Sequence, residues 1–112
     1  MADGVTDNTS AIKNAKEQAL ARAAEIIGGM AESYAKQYLT EQHAVDTGNL
    51  RNSIAHEYRK EDHTVIVGTA VEYAPYVELG TVKMSARPYL HPAIEKHLDE
   101  YKEVIETELQ GR

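Results

Sequence analysis

A chain of 112 residues with seven tyrosines, no phenylalanine and no tryptophan can bury only a thin core, and its 22 Leu, Ile and Val residues put it near the lower edge for a globular protein. The formal net charge of −6 argues against a free nucleic-acid binder, whose phosphate contacts need the opposite balance. The absence of cysteine excludes disulfides and thiolate metal sites. The polar start Met1-Ala2-Asp3-Gly4 lacks the apolar run of a signal peptide, and no stretch reaches the length of a membrane span, so a soluble protein made in the cytoplasm is expected.

A single domain over residues 1–112 is expected, with 1–8 small, polar and disordered. A long helix then begins, with Thr9 or Ser10 as its N-cap. Ile12, Ala15, Ala19, Ala23, Ile26, Ile27, Met30, Tyr34 and Tyr38 recur every three to four residues, with charged residues mostly on the other face, out to about Gln42. About 33 residues make a rod of about 50 Å. A compact chain of this size has a radius of gyration near ~13 Å, so a straight helix overhangs its own domain. Gly28-Gly29 in its middle either bends the helix back over the core or lets a neighbouring subunit's backbone come close.

Asp46-Thr47-Gly48-Asn49 is a turn signal, and Asp46 can also cap a short helical turn through Leu50 and Arg51. From Ser53 to Arg59, Ile54, His56 and Tyr58 share one face; Lys60-Glu61-Asp62 is a polar connection; Thr64 to Thr69 is rich in β-formers. Two antiparallel strands follow from this pattern, and a lone hairpin must pack on a helix or gain further strands. Glu72 to Thr81 has the pattern of a short helical turn stopped by Gly80. Residues 82–87, with Lys83 and Arg87, have no period and are expected to form an exposed loop. After Pro88, the run Leu90, Ile94, Leu98, Tyr101, Val104, Ile105 and Leu109 predicts a second amphipathic helix with Pro92 in its first turn and an acidic outer face. The fold class is therefore α+β: a long N-terminal helix, a small antiparallel sheet built on a β-hairpin, a short central helical turn, and a C-terminal helix packed on the sheet.

Chemistry is sparse. Asp46-Thr47-Gly48 matches the catalytic triplet of aspartic proteases, small viral forms of which are homodimers that share a proton between two carboxylates. That triplet needs a tight turn between strands of an all-β fold, whereas here it follows a long helix and the polar Thr40-Glu41-Gln42-His43. A turn or helix cap is the better reading. None of the five histidines is paired at the spacing of a helical zinc site, and no nucleotide or dinucleotide fingerprint occurs. Neither enzyme activity nor a metal or cofactor is expected.

Four segments, in order, carry a family likeness. They are Asp46-Thr47-Gly48-Asn49-Leu50-Arg51-Asn52-Ser53-Ile54, then Val67-Gly68-Thr69, then Tyr73-Ala74-Pro75-Tyr76-Val77-Glu78-Leu79-Gly80-Thr81, then Arg87-Pro88-Tyr89-Leu90-His91-Pro92-Ala93. Together they are similar to the tail-completion, or head–tail joining, family of long-tailed bacteriophages and prophages, which also carries the labels neck and minor tail protein. The departure is Tyr89, where Phe is common in that family. The resemblance implies a structural subunit of the virion, made in the bacterial host, that assembles as a ring at the neck and contacts connector and tail proteins. An acidic lumen would repel passing DNA, in keeping with the net charge. Tyr73, Tyr76 and Tyr89 suit interfaces, the hairpin edge and the 82–87 loop are further contact candidates, and each tyrosine could equally complete the core. A soluble prophage-encoded interaction or regulatory module of the same fold is the second reading.

Overall fold

Alanine sets both the length of the first helix and how closely the rest of the chain approaches it. The computed structural model describes residues 2–41, 47–71, 74–79, 86 and 88–111, with 2–10, 47–48 and 75–76 described by backbone alone. Helix α1 runs from Ala2 to Glu41. Its buried stripe is Ala19, Ala23, Ala24, Ala31, Ala35 and Leu39, each at most 4% exposed. Alanine is the best helix former and has no bulk beyond Cβ, so partners settle directly on the backbone cylinder. The larger residues that mark the amphipathic pattern sit differently: Ile12 and Ile26 are exposed, and Tyr34 and Tyr38 are half-buried against the core.

Forty residues make a rod of about 60 Å. The molecule measures 69 × 23 × 21 Å, and its radius of gyration is 18.3 Å, well above that of a compact chain this long. The helix overhangs the packed part of the chain, as its length predicts, and Gly28-Gly29 does not fold it back. Its start differs from expectation. α1 is already helical at Ala2, through the segment expected to lack structure, so Thr9 and Ser10 lie inside it instead of capping it. Extension of an existing helix needs no new nucleus, which is why weakly helical residues can join its end.

Most of the remaining described elements pack on α1. Helix α2 (Thr47–Ser53) leads into strand β1 (Ala55–Arg59), which pairs antiparallel with β2 (Thr64–Gly68). Ser53 belongs to α2 and Thr69 lies past the end of β2, so both strands are slightly shorter than the pattern suggests. His56 lies opposite Val67, and Tyr58 opposite Val65; these are the half-buried positions, while Ala55, Glu57, Arg59 and Ile66 are exposed. The connection Lys60 to His63 closes with His63 at φ 50°, a left-handed conformation that histidine tolerates better than most residues.

Helix α3 (Ala74–Leu79) follows, then α4 (Leu90–Glu95) and α5 (Leu98–Leu109). The single C-terminal helix read from the apolar period is thus two helices. The break falls at His97, whose backbone (φ −126°, ψ 19°) leaves the helical region. Its ring there stacks on Tyr34 with centroids 3.5 Å apart, a contact that an uninterrupted helix would redirect. α5 also differs in its seat. Its main partner is α1, and the hairpin occupies a neighbouring strip of the same helix. The two meet at a small gap of about 70 Å³ where Ile105, Val65 and Tyr58 converge on Leu20 and Ala23.

Candidate functional site

The family-like segments come together at the C-terminal end of α1. Leu39, Leu50, Ile54, Ala74, Val77, Tyr89 and Ala93 form one cluster, in which Leu39, Leu50 and Tyr89 are fully buried. Tyr89 is therefore a core residue within the chain and not a surface anchor. Ser53 joins the segments by hydrogen bonds: its Oγ donates to the Leu50 carbonyl at 2.7 Å and meets Thr69 Oγ1 at 2.5 Å. Thr69 Oγ1 in turn accepts from the Val71 amide. The entry to the hairpin and the exit from it are thereby tied to one point.

Glu78 performs the most specific task. Its carboxylate, at the end of α3, accepts hydrogen bonds from the amides of Tyr89 (3.1 Å), Leu90 (2.9 Å) and His91 (3.2 Å). These are the amides at the start of α4, which has no cap from the side chain of its own N-cap residue. A helix start presents unpaired donors and a partial positive charge, and an ionised carboxylate satisfies both. Two segments separated by the 80–87 stretch are thus held as one unit. Pro92 is buried in α4, and Pro88 is exposed.

A second cluster joins α1 to the α4–α5 break. His97 Nδ1 meets Glu100 at 2.5 Å, its Nε2 meets Tyr38 Oη at 3.0 Å, and Tyr34 Oη donates to the other oxygen of Glu100. The Tyr34 hydrogen bond, followed by that of His97, holds the Glu100 carboxyl below its usual range, and Glu100 raises the Tyr34 phenol. Burial pushes Tyr101 up to about 12, and its hydroxyl donates to the Ala93 carbonyl.

The third cluster was not legible from residue types. His56 of β1 lies over Gly28, with Nδ1 2.9 Å from Glu32 and Nε2 3.2 Å from Glu25. A Cβ built on Gly28 would lie 2.1 Å from the His56 ring, whereas one on Gly29 would meet nothing. Gly28 thus admits a side chain of its own hairpin. Neither the bend nor the neighbouring backbone considered for this pair accounts for it. The signal available in the sequence was the Glu25–Gly28–Glu32 spacing, which puts a gap between two acids on one helix face.

Other expected residues are not brought into this picture. Asp46, Tyr73, Gly80, Thr81, Lys83 and Arg87 lie outside the described residues, as do the side chains of Thr47 and Tyr76, and Gly48 is described by its backbone alone. Gly68 ends β2 with open space around it. The backbone of Thr47 and Gly48 is helical in α2, so of the two readings for that segment the helical one holds, and the strand–turn–strand setting of a protease triplet is absent among the described residues. Among the described residues no group of three or more His, Asp or Glu could hold a metal ion. No described helix is long and apolar enough to cross a membrane.

These clusters fasten the hairpin and the four shorter helices to the long helix α1. Residues 3–80, more than two thirds of the chain, match the family model described as "Bacteriophage HK97-gp10, putative tail-component". The chain belongs to this phage tail-component family. No curated protein and no solved structure matches it. The match ends at Gly80, and the residues beyond it join the matched part through the Glu78 cap, the cluster residues of α4 and the seat of α5 on α1.

Proposed function

We propose that this tail component is the tail-completion subunit that joins tail to head, acting in the virion as a closed homo-oligomeric ring and not as an enzyme. The observation that carries the reading is the overhang of α1. Residues 11–18 are all exposed, Ile12 is 57% exposed, and Ala19 is the first buried residue among the side chains described. A helix that extends this far from its own core finds its burial in another chain. Heterologous contacts that close on themselves give rings, the geometry a neck requires around a DNA channel. The segments 73–81 and 82–87 and the edges of the two-stranded sheet, which pair with no further strand among the described residues, are proposed as the other contact surfaces.

The test is complementation. Heads and tails produced without this protein are expected to stay apart and to join when the purified chain is added, with joined particles counted by electron microscopy. Light scattering of the chain over rising concentration gives its association state. A chain that stays monomeric and leaves separated heads and tails unjoined overturns the reading, and points to a soluble interaction module instead.

A further inference from the structure

Helices α1 and α5 leave a groove of about 380 Å³ between them, floored by Ile26, Met30 and Val104 and rimmed by Glu100, Glu103 and Glu108. Ile26 is 43% exposed there. The rim carries three carboxylates and no basic residue. Glu108 is bridged to Arg22 at 3.0 Å and Glu100 is held by Tyr34 and His97, whereas Glu103 has no ion pair among the described residues. The overhanging end of α1 has the opposite character. Ile12 stands exposed beside Lys13 and Lys16, both exposed and neither in an ion pair among the described residues. Ile12 and Ile26 are fourteen residues apart, nearly a whole number of turns, so both lie on one stripe of α1.

We propose that the α1–α5 groove of one copy receives the 12–16 segment of the next copy's α1, with Ile12 entering the apolar floor and Lys13 and Lys16 facing the acidic rim. The occupant is a second copy because the donor and acceptor surfaces, both exposed and of opposite charge, are on the same chain. The contact is heterologous: it uses two different patches, so each copy donates once and accepts once, and repetition gives a ring or a filament. It rests on the ring reading and names the surface through which the copies join.

The chain has no cysteine, so disulfide trapping is clean. Ile12→Cys and Thr107→Cys mark the segment and the groove wall. Thr107 adjoins Glu108, which bridges to Arg22, so within one chain residue 12 lies about 15 Å away, beyond the ~7 Å reach of a disulfide. Mixing the two single variants is expected to give a cross-linked dimer that neither gives alone, and the double variant is expected to give a ladder of oligomers. Lys13→Glu with Lys16→Glu is expected to weaken self-association on the order of tenfold or more, and Glu103→Lys to restore part of it. Helical circular dichroism of each variant checks that it folds.

Dimers linked through residue 12 on both chains would overturn the proposal in favour of a symmetric helix pair. Association unchanged by the double charge reversal also overturns it. If heads and tails still join with the reversed variant, this contact is wrong while the ring reading stands. If the wild-type chain neither associates nor joins particles, the ring reading fails with it.

Discussion

The two ends of α1 have the same amphipathic grammar and opposite fates. At the C-terminal end Ala35 and Leu39 are fully buried beneath Leu50 and Tyr89. At the other end Ile12, in an equally regular pattern, is 57% exposed. Periodicity states that a face is to be covered and is silent about which chain covers it. The packed end is a finished core, and the bare end is the part that the proposed contact between copies covers.

The largest effects should fall on the packed end. Leu39→Ala removes a fully buried side chain from a core with few large residues, and is expected to cost about 2–5 kcal/mol of unfolding free energy. Ile12→Ala should change the isolated chain by no more than about 0.5 kcal/mol while weakening self-association. Denaturant titrations of both variants measure the contrast. Equal losses would mean that Ile12 is covered within its own chain.

Most of the architecture was legible because it follows from period and punctuation: the long helix, the hairpin and its facing residues, and the short helix before Gly80. What escaped has identifiable causes. The buried stripe of α1 was hidden because its members are alanines, whose pattern is faint beside Ile12, Ile26 and Tyr34. The break at His97 was hidden because the apolar period continues across it, and only the stacking partner on α1 explains the stop. Of the candidate site, Glu78 and Tyr89 were singled out as contact residues, with the core as the equal reading for Tyr89; within the chain Tyr89 is core and Glu78 is a cap for a helix starting twelve residues later. Long-range capping leaves no local signature.

That cap is the next way to separate the regions. Glu78→Ala orphans the amides of Tyr89, Leu90 and His91, and is expected to destabilise the packed end by about 1–3 kcal/mol. Glu78→Gln keeps acceptor oxygen but not charge, so its loss should be smaller. Hydrogen exchange should show faster exchange at those three amides with the overhanging end unaffected. A stability change with no local exchange change would detach Glu78 from α4.

Between the two ends lies the glycine pair, where effects of opposite sign are expected. Gly29→Ala meets open space and should raise stability by about 0.5–1 kcal/mol through helix propensity. Gly28→Ala has the same local gain but drives a methyl group into the His56 ring, and is expected to be net destabilising. Midpoints of urea unfolding decide it. If both alanines stabilise, His56 is not seated as tightly as its two carboxylate partners suggest.

The smallest effect is the pH dependence of that same seat. Glu32, with Glu25 assisting, raises the His56 pKa above 6.5, more than offsetting the burial that lowers it. The folded chain therefore holds the His56 proton more tightly than the unfolded chain does. The resulting stabilisation is fully present below the unfolded value of 6.5 and is lost as pH rises through the elevated folded value. Comparing wild type with His56→Gln isolates this contribution: the stability gap should be widest below the unfolded value and narrow as pH rises through the raised folded one. An NMR titration of the His56 ring gives the folded pKa independently. A gap that widens with rising pH, or a ring that titrates below 6.5, would show that the hairpin is held to α1 by packing and not by a protonated histidine between two acids.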